Sequence, residues 1–315
     1  ELFKAGYLSS LDLHLSEALQ RISTEKDPLV ALGAAVACRA TTSGHVCADL
    51  ASVISTPPLG SGGDPVPGAS WPELDAWVTA LSGSGLVGDG EDASPLVLED
   101  NRRLYLGKYW DLQQRLVGEI EARIALPPDS PDDELLRRGI KRLFGSDESG
   151  PDWQQAAAVA ALRNNFTVIS GGPGTGKTTT IVKIIVLLIE NALESGAPPP
   201  LIDLLAPTGK AAARLEEAVR AAGSKLELED EVRQRIPGEG ATLHRRLGYN
   251  PRGFGSFRHG RENPLGADVV IVDEASMIDL AMMTRLFEAI PRSSRLILLG
   301  DEHQLASVEA GAILG

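Results

Sequence analysis

The chain has 315 residues, 43% of them hydrophobic, and a formal net charge of −13 at pH 7. Its length suggests two domains and its apolar content at least one sizeable core; the longest apolar run, Ile181 to Ile189, is broken by Lys183 and falls short of the roughly 20 residues that span a bilayer, so no membrane span is expected. The acidity argues at first sight against a nucleic-acid partner, since phosphate binding relies on Lys and Arg, but residues 1 to 150 hold 13 basic and 23 acidic side chains and residues 151 to 315 hold 17 and 20, so the halves carry −10 and −3.

In chain order, the opening residues ELFKAGYLSS lack an initiator Met and show neither the basic start nor the apolar core of an export signal, which fits a cytoplasmic protein. Residues 28 to 40, PLVALGAAVACRA, are apolar almost all round and read as a buried helix. Cys38 and Cys47, with His45 between them, are too few for a four-ligand zinc site and read as reduced structural thiols. A Ser/Gly/Pro-rich loop over 53 to 70 precedes a helix from Pro72 to about Leu81. PLVLEDNRRLYL, 95 to 106, alternates into a polar centre and out again, which suggests a hairpin. A periodic helix follows from about Lys108 to Ile124, and residues 126 to 150, rich in Pro, Asp and Ser around one short amphipathic helix, read as a linker. Residues 1 to 150 contain no nucleophile elbow, no metal-ligand spacing and no carboxylates clustered with His, so the first domain, 1 to 125, reads as a mainly helical docking or structural domain.

The second half carries chemistry. FTVISGGPGTGKTTT runs from an apolar strand, Phe166 to Ile169, through a glycine turn into a helix from Lys177 to about Glu194, and fits G-x-x-x-x-G-K-[ST] with the strand before and the helix after that the motif requires. Glycines let backbone N–H groups close around phosphate oxygens at a helix N-terminus, where the dipole also favours anions. Gly172, Pro173, Gly174, Thr175, Gly176, Lys177, Thr178 and Thr179 are therefore the expected nucleotide-binding residues, with Lys177 neutralising the β- and γ-phosphates of ATP and the Thr178 hydroxyl holding Mg²⁺.

DVVIVDEASMIDL supplies a second buried strand, Val269 to Val272, ending in Asp273 and Glu274. Asp273 can reach the Mg²⁺ shell and Glu274 can orient and deprotonate an attacking water. No N-K dipeptide occurs anywhere, which weighs against a guanine-specific NTPase. Strands at 166 to 169, 201 to 206, 269 to 272 and 295 to 299, separated by helical segments, describe a parallel sheet covered on both faces, and ligands of such sheets bind outside the carboxyl ends of the strands. Gln304, just past the last strand, can then sit beside the γ-phosphate, accepting from water and donating to phosphate. Between these motifs, residues 233 to 261 hold Arg233, Arg235, Arg245, Arg246, Arg252, Arg258 and Arg261 against the single acid Glu239, with Tyr249, Phe254 and Phe257 among glycines. That mixture suits single-stranded nucleic acid; it equally suits a solvated flexible loop.

WQQAAAVAAL, ISGGPGTGKTTT, LLAPTGKAAARL, ATLHRRLG, VVIVDEASMIDL and LLGDEHQLASVEAGAILG together resemble the successive motifs of superfamily 1 helicases, and most closely those of the RecD family, a subunit of RecBCD (exodeoxyribonuclease V) enzymes. GHVC and LYLGKYW are similar to that family's N-terminal domain. The resemblance implies a RecA-like P-loop domain over 151 to 315, an ATP-driven 5′-to-3′ motor, and partners of the RecB and RecC kind. It further implies that Gln154 reads the adenine edge, that Thr208, Lys210, Thr242, His244 and Arg245 meet the DNA single strand, and that Gln304 couples nucleotide state to DNA movement. A second RecA-like domain, which in this family closes over the ATP and supplies arginines, is not found before Gly315, so the chain is expected to be a piece of a longer protein that alone binds Mg-nucleotide but hydrolyses it feebly. The absence of an LPGIG-type helix-hairpin-helix motif from residues 1 to 150 favours the complex-bound form over a stand-alone RecD-like DNA or RNA helicase. A non-enzymatic nucleotide-sensing module is the remaining reading, opposed by the complete set Lys177, Thr178, Asp273, Glu274 and Gln304.

Overall fold

In a computed structural model of the chain, residues 1–23, 26–127, 133–145, 152–253, 256–301 and 310–311 are described. They form two compact units, one of 1–115 with 279–281 and 310–311, the other of 116–278 with 282–301. Among the described residues no helix is long and apolar enough to cross a membrane.

The first unit opens with helices α1 (Ser10–Ser23) and α2 (Pro28–Thr42). Asp27 fixes the start of α2, its carboxylate accepting from the Leu29 N–H at 2.8 Å, with Pro28 at the first helical position where no N–H is needed. Alpha-2 is the buried helix expected from its composition. At Gly33 an added Cβ would stand 2.8 Å from Leu81 and 3.1 Å from Leu104, so a glycine lets the helix approach both neighbours. Strand β1 (Cys47–Asp49), helices α3 (Leu50–Ser55) and α4 (Leu74–Ser82), and strands β2 (Val87–Gly88), β3 (Leu96–Glu99) and β4 (Arg103–Leu106) follow. The sheet runs in the order β1-β4-β3-β2, and β3 and β4 form the expected hairpin, turned by Asp100 and Asn101 at φ 51° and 52°, the left-handed conformation that Asp and Asn tolerate best after Gly. The core between helices and sheet centres on fully buried Trp77, whose indole N–H donates to the Leu29 carbonyl at 2.9 Å. Cys38 is buried and Cys47 half-buried, both free; burial pushes the Cys38 thiol up to about 12, so it is an unreactive neutral thiol.

Helix α5 (Gly107–Ile124) begins in the first unit and ends in the second, and α6 (Asp133–Phe144) belongs to the second. The stretch read as a linker therefore holds a packed element. Leu136 and Ile140 of α6 enter the core, and Gly139 lies where an added Cβ would collide with the Leu187 side chain. Next come α7 (Trp153–Arg163), β5 (Phe166–Ser170), α8 (Lys177–Glu194), β6 (Ile202–Ala206), α9 (Gly209–Lys225), α10 (Asp230–Arg233), β7 (Gly240–Thr242), α11 (Leu243–Arg246), and the short antiparallel pair β8 (Tyr249–Asn250) and β9 (Ser256–Phe257). Strand β10 (Val269–Val272), a 3₁₀ turn (Ala275–Met277), α12 (Leu280–Ala289) and β11 (Arg295–Gly300) complete it.

The second sheet is wholly parallel, in the order β5-β11-β10-β6-β7. Its central strands, β10 (VVIV) and β11 (RLILLG), are buried at every residue, as strands covered on both faces must be. Helix α8 places Ile181, Val182, Ile184, Ile185 and Ile189 in the core against α7 and the sheet. A buried cation ties α5 to the end of α12. The fully buried Arg123 guanidinium donates to the carbonyls of Phe287 (3.3 Å), Ile290 (2.6 Å), Pro291 (3.2 Å) and Ser294 (3.1 Å). Phe287 lies in the last turn of α12, where carbonyls lack helical partners and the dipole favours a positive charge, and the other three carbonyls follow it in the connection to β11. Desolvation pulls Arg123 down to about 10, still charged at neutral pH. One turn earlier, buried Glu119 receives Arg292 and Arg261, each at 3.1 Å.

Candidate active site

The carboxyl end of β5 turns through Gly171–Gly176 into α8. Gly174 and Gly176 hold φ of 77° and 82°, a region an L side chain enters only with strain, which is why the motif needs glycine there. Gly176 is the N-cap of α8 and supplies no side chain to its first turn, so no capping group competes with a ligand for the leading N–H groups. Beside the turn lies a cavity of about 360 Å³ lined by residues 172 to 179 together with Asp273, Glu274, Ser276, Gly300 and Asp301. The sheet order explains the meeting: β11 separates β5 from β10, and all three end on this side.

The side chains present fit a nucleotide phosphate and a hard divalent cation. The Lys177 ammonium folds back to donate to the loop carbonyls of Gly171 and Gly172, the latter at 3.1 Å. It thus reaches across the turn where phosphate oxygens would be its stronger partners. Burial raises the Asp273 carboxyl above its usual range, opposed by the Glu274 N–H at 2.9 Å and by the Lys177 charge. The Ser276 hydroxyl is buried with no hydrogen-bond partner among the described residues. Half-buried Thr178 and Asp273 and buried Ser276 all line this cavity, and their hydroxyl and carboxylate oxygens are donors of the kind a Mg²⁺-type ion takes, with phosphate and water completing its shell. Glu274 stands at φ 54°, a left-handed backbone uncommon for a non-glycine residue and concentrated at functional sites.

Gln154 lies on α7 against the outside of the turn, its amide donating to the Thr175 carbonyl at 3.0 Å and lying 2.5 Å from where a Cβ of Gly176 would be. Gln304 falls outside the described residues. Ser276 and Asp301 were missed by sequence reasoning; the position of Asp301 directly after the apolar run Leu296 to Leu299 and Gly300 was the available signal, whereas Ser276 had none.

The other end of the same edge is built from β6 and β7, paired so that Ala206 faces Thr242. Thr208 and Thr242 are the N-caps of α9 and α11, accepting from the Ala211 and Arg245 N–H groups, each at 3.2 Å. Lys210, His244 and Arg245 are exposed. His244 stands edge-on to Tyr249 with ring centres 5.3 Å apart, Tyr249 and Phe257 are 5.1 Å apart, and Arg285 lies over the Phe257 ring at 4.7 Å. The basic stretch divides in two. Arg246 pairs with Asp203, Arg261 with Glu119 and Glu288, Arg235 with Glu231, and Arg233 donates to the carbonyls of Gly223 and Leu226. Among the described residues Arg245, Arg252 and Arg258 have no carboxylate partner.

A parallel sheet with a phosphate loop after one strand and a carboxylate pair after another defines a P-loop NTPase with its nucleotide site on the carboxyl edge. Known proteins agree: the model of the RecBCD enzyme subunit RecD N-terminal domain matches residues 4–105, and that of an AAA domain matches 154–310. The chain is 43% identical over 313 residues to RecBCD enzyme subunit RecD of Mycolicibacterium smegmatis, covering 98% of this chain and 52% of that protein. It is 42% identical over 315 residues to the same subunit of Mycobacterium tuberculosis, covering 99% and 50%. It is 34% identical over 230 residues to the ATP-dependent RecD2 DNA helicase of Deinococcus radiodurans, covering 70% and 27%. The chain belongs to the RecD family. It spans about half the length of the two RecD relatives.

Proposed function

We propose that the protein is the ATP-dependent 5′-to-3′ DNA helicase motor of a RecBCD-type helicase and nuclease complex, working in the bacterial cytoplasm on double-strand DNA ends. The single observation that carries this reading is the gathering of the phosphate loop, Lys177, Asp273 and Glu274 around one cavity, on the same sheet edge as a cationic and aromatic surface. In this reading Lys177 neutralises the β- and γ-phosphates, Thr178 and Asp273 hold Mg²⁺, Glu274 orients the attacking water, and Gln304 registers the γ-phosphate. Bound Mg²⁺ would supply charge neutralisation at the phosphates. Gln154, already hydrogen-bonded to the phosphate loop, would read the base, while the Thr208 and Thr242 turns, Lys210, His244 and Arg245 would meet the single strand. The remaining half of such a protein would bring a second motor domain whose arginines complete the site. The first unit, 1 to 125 in its sequence bounds, would dock RecB-like and RecC-like subunits.

The test is the ATPase rate of the full-length protein and of its Lys177→Ala variant, with and without short single-stranded DNA or RNA, alone and with RecB-like and RecC-like partners. DNA-stimulated turnover that Lys177→Ala abolishes, with stable co-purification of the RecC-like subunit, is expected. Equal stimulation by RNA, or full unwinding without a partner, would transfer the reading to a stand-alone RecD-like helicase.

A further inference from the structure

Away from the nucleotide site, the second unit carries a groove of about 470 Å³ between α6, the C-terminal half of α8 and the start of α10. Its floor is apolar, made by Leu136, Leu162, Leu187, Leu193 and Val232. Its rim holds four carboxylates, Glu190, Glu194, Glu227 and Glu229, against two guanidinium groups, Arg138 and Arg142. Both arginines are spent on two of those acids, Arg138 on Glu194 and Arg142 on Glu190. Glu227 and Glu229 are exposed and, among the described residues, have no cationic partner. Four carboxylates against two guanidinium groups leave the rim short of positive charge, and burial raises the Glu190 carboxyl despite Arg142.

We propose that this groove docks a basic, apolar segment of a partner protein, one that seats a leucine-sized side chain on the floor and sets lysine or arginine against Glu227 and Glu229. The chemistry selects this occupant. An apolar floor with a polar rim is the anatomy of a protein interface, and unpaired carboxylates on that rim repel nucleic-acid phosphate while steering a cationic partner. The groove also leaves the nucleotide site open, since Lys177 and Glu190 are 13 residues apart on α8, roughly 20 Å along the helix axis. It stands independently of the motor reading.

The 315-residue chain is titrated with two labelled helical peptides that share one leucine pattern, one with lysines and one with glutamates between the leucines, followed by fluorescence polarisation and by hydrogen exchange at saturation. The lysine peptide is expected to saturate the chain, to protect residues 135–142 and 187–194, and to bind about fivefold more weakly to Glu227→Gln/Glu229→Gln, as two exposed ion pairs allow. Glu91→Gln/Asp92→Gln, the same charge change on an exposed loop of the first unit, is expected to leave affinity unchanged, as is Lys177→Ala. The proposal is overturned by no saturation at millimolar peptide, by equal binding of the glutamate peptide, by equal weakening in the two double variants, or by protection confined to other residues.

Discussion

The two ends of the second sheet's carboxyl edge differ in what they present. Strands β5, β11 and β10 end in a glycine turn, an ammonium and the carboxylates of half-buried Asp273 and Glu274 and buried Asp301 around a small cavity, whereas β6 and β7 end in capping threonines, exposed cations and a cluster of three rings. The same strand-to-helix connection thus serves two surfaces, and what separates them is the residue that caps the following helix, Gly176 at α8 against Thr208 at α9 and Thr242 at α11. Glycine brings backbone N–H groups to the surface for a compact anion, while threonine covers its own helix start and leaves the neighbouring side chains to make the surface. The difference also orders the edge in space: the chain visits β5, β6, β7, β10 and β11, but the sheet order collects the three phosphate-side tips together.

The strongest way to break this comparison is Lys177→Ala. In the full-length protein it is expected to lower DNA-stimulated ATP hydrolysis by about 10²- to 10³-fold, the range for removing one charge-stabilising donor, while affinity for single-stranded DNA without nucleotide stays unchanged; parallel loss of both would show the two ends to be one site. Arg123→Met acts beneath both ends. It removes the guanidinium from four carbonyls in the last turn of α12 and just past it, of which Pro291 keeps the Ser294 N–H, and is expected to lower unfolding free energy by about 3 kcal/mol, measured by urea denaturation, with both binding activities falling only as the folded fraction falls. Asp273→Asn is narrower. It is expected to cost on the order of 10- to 100-fold in the Mg²⁺ concentration needed to tighten nucleotide binding, with metal-free nucleotide affinity kept. The smallest effect belongs to the other end: Tyr249→Ala and Phe257→Ala are each expected to weaken oligo-dT binding by about 1 kcal/mol, read by fluorescence anisotropy, and to leave nucleotide affinity untouched.

Most of the second unit's architecture was legible because its signals are local. An apolar strand, a glycine turn and a long helix fix 166 to 194 without tertiary help, and the strands VVIV and LILL are too uniformly apolar to lie on a surface. Strand β7 was not legible: Gly240, Ala241 and Thr242 lack a strand pattern, and only the partner β6 makes them one. Helix α6 was seen, but its Pro- and Asp-rich flanks read as linker, and its burial depends on Gly139 fitting against Leu187. Arg123 was invisible for a similar reason. An arginine on an amphipathic helix reads as a solvent-facing charge until the end of α12 surrounds it. In the basic stretch, composition gave seven arginines but not their partners, and four of them serve the fold rather than a ligand.

The central claim, that one sheet edge carries two separable sites, is tested most directly by a crossed titration of the 315-residue chain. A fluorescent ATP analogue with Mg²⁺ and a labelled oligo-dT are each bound to the unchanged chain, to Lys177→Ala and to Phe257→Ala. The account predicts that Lys177→Ala loses nucleotide and keeps oligo-dT, and that Phe257→Ala does the reverse. Nucleotide affinity untouched in Lys177→Ala, or both ligands lost together in either variant while the chain stays folded, would contradict it.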